Sequence, residues 1–106
     1  LNNQHTIYQK QQCASHPAAL QRLLDCYSIG IRSAVQKDAT KALEVIDLLE
    51  RSLDASGDPS IVLSLRGIYH DCRQHVETKD WALYAEHLER LKGLWTAKQR
   101  LQQATI

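Results

Sequence analysis

Hydrophobic residues recur along this chain with helical spacing, and no segment alternates with the period of a strand. From residue 17 onward, Leu20, Leu23, Leu24, Tyr27, Ile31, Ala34 and Val35 fall at i, i+3, i+4, i+7, which predicts one buried helix face. Pro17 suits the first helical position, where its missing N–H costs nothing, and Ser15 is the better capping residue ahead of it. Gly30 interrupts the stripe at a cost of about 1 kcal/mol relative to Ala, so a conformational or close-packing reason is expected there. Asp38 caps a second predicted helix with Ala42, Ile46, Leu49 and Leu53 on one face, and Asp47 and Arg51 are spaced for an i, i+4 pair. The run LDASGDPS ends it. Gly57 suits a left-handed helix terminus, and Asp58-Pro59 opens a third helix carrying Ile61, Leu65, Ile68, Tyr69, Cys72 and Val76. After the break at Thr78-Lys79-Asp80, a fourth helix carries Trp81, Tyr84, Leu88, Leu91 and Trp95 and runs past Leu101. Glu86 and Arg90 form its i, i+4 pair, and Lys98 and Arg100 lie near its end, where the helix dipole favours cations.

Four amphipathic helices joined by short loops favour antiparallel neighbours. The expected fold is all-α, an antiparallel up-down four-helix bundle over residues 15–104. Residues 1–14 form an N-terminal cap or lid segment, extended or briefly helical.

With 106 residues the chain is one domain by size, long enough for a modest core without staples. Thirteen basic residues against twelve acidic ones leave no basic excess for a phosphate backbone, so nucleic acid is not an expected partner. No apolar run approaches the roughly 20 residues of a membrane span. The opening LNNQHTIYQK is too polar for a secretory signal. Three widely spaced cysteines, Cys13, Cys26 and Cys72, fit reduced thiols in a cytoplasmic protein better than a disulfide framework.

The heptapeptide YHDCRQH, residues 69–75, gathers two histidines, an aspartate and a cysteine. On a helix these do not converge. Cys72 falls in the middle of the buried stripe, His70 points to solvent, and Asp71 and His75 are i, i+4 neighbours near its edge, placed for an ion pair or for a metal if another helix supplied ligands. A structural zinc site needs three or four convergent ligands. A di-iron bundle needs Glu-x-x-His on two helices, and that motif is missing from the sequence. Cys26 has no helix N-terminus or cations beside it to lower its pKa, and Cys13 with His16 reads first as an inert thiol. There is no glycine-rich phosphate loop. The chain reads as a non-enzyme without cofactor or metal.

What remains is surplus apolar surface. Leu83, Leu94 and Leu101 form a second line on the fourth helix, ~100° from the main stripe. Val45 and Leu48 widen the arc of the second helix, and Val62 and Ile29 are further outliers. Either a bundle with wide buried arcs absorbs them, or they line interhelical grooves that receive an amphipathic segment of another protein. Ile7 and Tyr8 sit alone in a polar stretch, as a plug for an apolar pocket or as part of an unattached tail.

From Tyr8 to about Trp95 the chain resembles the FliS-type flagellin export chaperones. The family's tyrosine ahead of a Ser-Pro helix start is similar to Tyr8 followed by SHPAALQRLL. Its Leu-Asp, glycine turn and helix ending Leu-x-x-Leu-Tyr resemble LDASGDPSIVLSLRGIY, through Leu53, Asp54, Gly57, Leu65, Ile68 and Tyr69. Its closing leucine-rich helix ending in tryptophan resembles HLERLKGLW, through Leu88, Leu91 and Trp95. The chain departs at Leu24-Asp25-Cys26-Tyr27, where the family has Leu-Tyr-Asp-Gly, and at Gly57-Asp58, where it has two glycines. The resemblance implies a cytoplasmic bundle that binds the disordered C-terminal segment of flagellin, prevents premature polymerisation and serves type III export. It also implies a lid at Tyr8 that the client displaces. On this reading the partner-binding residues are Ile7, Tyr8, Val45, Leu48, Val62, Leu83, Leu94 and Leu101. The other expectation is a helical adaptor or regulatory protein for another secretion substrate.

Overall fold

The computed structural model describes residues 17–53 and 58–104, all of them helices and the short turns between them. Helix α1 spans Pro17–Gln36, α2 Ala39–Arg51, α3 Pro59–Glu77 and α4 Trp81–Ala104. Each helix packs against its neighbours in sequence, and α4 returns to α1, so the four enclose one core as an antiparallel bundle.

The starts follow from local chemistry. The Asp38 carboxylate accepts the Lys41 N–H at 3.0 Å, and Asp58 accepts the Ser60 N–H at 2.9 Å just ahead of Pro59. Asp80 accepts the Leu83 N–H at 3.2 Å at the head of α4. These oxygens satisfy N–H groups that a helix terminus leaves without partners. Ser15, the expected cap of α1, and Gly57 lie outside the described residues.

The α1–α2 and α3–α4 turns are built alike, on Lys37-Asp38 and Lys79-Asp80. In each, the lysine takes a left-handed backbone, φ 54° and 60°. Its N–H bonds three residues back, and the aspartate N–H reaches five back, to Ser33 at 2.9 Å and to His75 at 2.7 Å. This is the paired closure that glycine usually provides.

Gly30 has the packing role its interruption of the stripe suggested. A Cβ there would come within 2.5 Å of Leu88 Cδ1 and 3.1 Å of both Tyr84 Oη and Val45 Cγ1. The missing side chain lets α1 approach α2 and α4 closely. Tyr84 and Leu88 fill that space, both 0% exposed, and Tyr84 shares a 3.1 Å hydrogen bond with Ser33. Half-way along the bundle the phenols of Tyr27 and Tyr69 share a 2.8 Å hydrogen bond, and the Trp95 indole donates to Tyr27 at 3.0 Å. Three helices are thereby tied at one level. Burial pushes Tyr27 and Tyr84 up to about 12, and Tyr69 further.

One expected ion pair is exchanged. The Asp47 carboxylate pairs with Arg73 of α3 at 2.6 Å, while Arg51 Nε donates only to the Asp47 backbone carbonyl at 3.3 Å, and Glu50 joins Arg73 at 2.6 Å. Glu86 and Arg90 do pair, at 3.1 Å. Val35, expected on the core stripe, is 80% exposed in the last turn of α1.

Helix lengths decide where the core stops. α2 has 13 residues against 19 in α3 and 24 in α4. At 1.5 Å per residue that is about 20 Å against 28 and 36 Å. Arg73 ties α3 to the last turns of α2 through Asp47 and Glu50, so the first turns of α3 run past the end of α2. Ile61, expected in the core, is exposed for that reason.

Candidate apolar groove along helices α3 and α4

Ile61, Ile68 and His75 follow one another on α3 at seven-residue intervals, as do His87, Leu94 and Leu101 on α4. Seven residues are about two helical turns, so each set lies on one line. The lines face each other, because the imidazoles of His75 and His87 stack across the seam with centroids 5.2 Å apart and planes 14° off parallel. The same antiparallel register sets Ile68 opposite Leu94 and Ile61 opposite Leu101.

Seven-residue apolar spacing on both strands of an antiparallel pair makes a continuous furrow. The stacked histidines lie at its end nearest the α3–α4 turn. Ile68 packs against the core, whereas Leu94 is 63% and Leu101 68% exposed. Leu83, 40% exposed, continues the α4 line one turn before His87. The α4 side chains turned inward, Tyr84, Leu88 and Leu91, are buried, so the outer leucines are excess to the bundle's own packing. Lys98 lies with its ammonium 5.2 Å from the centre of the Trp95 ring, covering the indole.

The residues singled out from sequence separate into groups. Leu83, Leu94 and Leu101 come together on this furrow. Leu48 and Ile29 are exposed on the α1–α2 side, away from it, and Val62 is half-buried on α3. Val45 is a correction: it is 2% exposed and packed where Gly30 draws the helices together, so it belongs to the core. Ile7 and Tyr8 lie outside the described residues. Periodicity places Ile61 in the core, whereas it is 51% exposed on the α3 side of the furrow. The matched heptads on α3 and α4 carry that signal.

The groups that could do chemistry are not assembled. Cys72 is fully buried and its thiol is pushed up to about 12 by burial, with the Asp71 charge adding to it. Burial raises Cys26 as well. Asp71 makes no ion pair with His75, whose ring lies against His87 instead. Among the described residues no group of three or more His, Cys, Asp or Glu side chains could hold a metal ion, and no helix is long and apolar enough to cross a membrane. Searches against family models, curated proteins and solved structures find no match.

Proposed function

We propose that this chain is a cytoplasmic export chaperone of the FliS type, which holds the disordered C-terminal segment of flagellin before type III secretion. The observation that carries the reading is the α3–α4 furrow, where Leu94, Leu101 and Ile61 are all more than half exposed. A disordered client with leucines at helical spacing can lay an apolar face along such a furrow, folding as it docks. Its ordering cost is offset by apolar burial over a long contact. Occupied in this way, the client segment is withheld from polymerisation and remains extended enough for export. The residues of Tyr8 to Trp95 that resemble the family supply the identity of the client, and the near-neutral charge agrees with recognition by apolar contact rather than by a long-range field.

Titration calorimetry of the full chain with the flagellin C-terminal segment tests the proposal. Leu94→Asp is expected to weaken binding at least about tenfold, as removal of a central apolar anchor does. Unchanged affinity would remove the furrow from the site. Capture of a different late export substrate, with flagellin ignored, would favour the adaptor reading.

A further inference from the structure

The outer line of α4 has a second property, independent of any client: it is complementary to itself. Leu83 and Leu101 stand equally far, in opposite directions, from Lys92 at mid-helix, and Leu94 and Arg90 stand equally far from the same residue. The charges divide about that point too. The first half of α4 carries Glu86, Glu89 and one cation, Arg90, while the second half carries Lys92, Lys98 and Arg100 and no carboxylate. Arg90 is held by Glu86 of its own turn at 3.1 Å, which leaves its aliphatic stem to lie along the line.

We infer that two copies of this chain associate through α4, antiparallel about a two-fold axis near residue 92. A two-fold contact pairs one surface with itself, so every contact made in one direction is made again in the other. In this register Leu83 of each copy packs on Leu101 of the second, and Leu94 on the stem of Arg90. Glu86 then falls beside Arg100 of the second copy, as flanking positions do in antiparallel helix pairs. Parallel pairing would instead set the three cations of one copy against the three of the other. The α4 surface is used by both the dimer and the proposed client. Association therefore stores the exposed leucines and makes client capture concentration-dependent, although the dimer itself stands without the client reading.

Sedimentation equilibrium of the full chain under reducing conditions, over a wide concentration range and without client, tests this. The expected result is a reversible monomer–dimer equilibrium that Leu94→Asp weakens at least about tenfold, with helicity unchanged. Arg100→Glu alone is expected to weaken it about threefold or more, and Glu86→Arg combined with Arg100→Glu to restore it, because the charge pair is reversed rather than lost. A chain monomeric at every concentration, or a dimer indifferent to Leu94→Asp, overturns the inference. A dimer that the reversed pair fails to restore overturns the antiparallel register. A monomer that still binds the flagellin segment sinks the dimer alone, whereas a dimer that ignores the segment leaves it standing.

Discussion

At the end of the bundle that holds the two Lys-Asp turns, each of the four helices has neighbours on both sides; at the opposite end α2 stops while α3 and α4 run on. The first region contains Gly30, Ser33, Val45, Tyr84 and Leu88, all buried and interlocked around a missing side chain. The second contains Ile61, Leu63, Leu94 and Leu101, all at least half exposed. Residue type alone does not separate the regions, since leucine occurs in both, Leu88 buried in the first and Leu94 exposed in the second. What separates them is the number of helices present at each level, and hence whether an apolar side chain meets protein or water. One short helix is enough to turn core-type sequence into surface.

The sharpest way to break that contrast is to place the same charge in each region. Val45→Asp buries a carboxylate with no partner and is expected to cost at least about 3 kcal/mol in urea unfolding. Leu94→Asp is expected to change stability by less than about 0.5 kcal/mol. Similar losses for the two would mean that the furrow is packed.

Next in size is the response to alkali. Burial holds the Tyr27 and Tyr84 phenols and the Cys72 thiol protonated, each pushed up to about 12. Raised folded-state values mean that this stability is complete below the ordinary pKa values, about 8.5 for a thiol and about 10 for a phenol, and is lost as pH climbs toward 12. Helicity and tyrosinate absorbance should therefore change together above pH about 10. Tyrosinate appearing before helicity falls would show that the tyrosine level is not closed to water.

The smallest effect belongs to the turns. Lys79 holds a left-handed backbone, and Lys79→Gly should raise thermal stability by up to about 1 kcal/mol by removing that strain. A loss instead would show that the lysine side chain stabilises the turn by more than its backbone costs.

All four helices are legible in the sequence because their signals are local: Pro17, Asp38, Asp58-Pro59 and Asp80 each mark a start by their own hydrogen-bonding chemistry. Burial is legible only as far as a single helix can reveal it. Val45 stands one step off its stripe and looks spare, yet Gly30 on another helix brings α1 close enough to cover it. Ile61 stands on its stripe and looks buried, yet the helix that would cover it ends too soon. Asp47 has a suitable cation four residues on and takes one from α3. The His75–His87 stack joins residues twelve apart on two helices, and neither helix alone announces it. In each case the deciding neighbour is remote in sequence. The outer line on α4 escapes this difficulty, since Leu83, Leu94 and Leu101 depend on one helix only.

The placement of the two tryptophans gives the molecule a pair of built-in optical gauges. Trp81 stands partly buried at the head of α4, edge-on to Tyr84 with ring centres 6.0 Å apart. Trp95 stands further along α4, its indole N–H fixed on Tyr27 and its ring under Lys98. Fluorescence from Trp95 thus senses whatever settles over Leu94 and Leu101, while Trp81, partly buried two residues before Leu83, senses the other end of the same line.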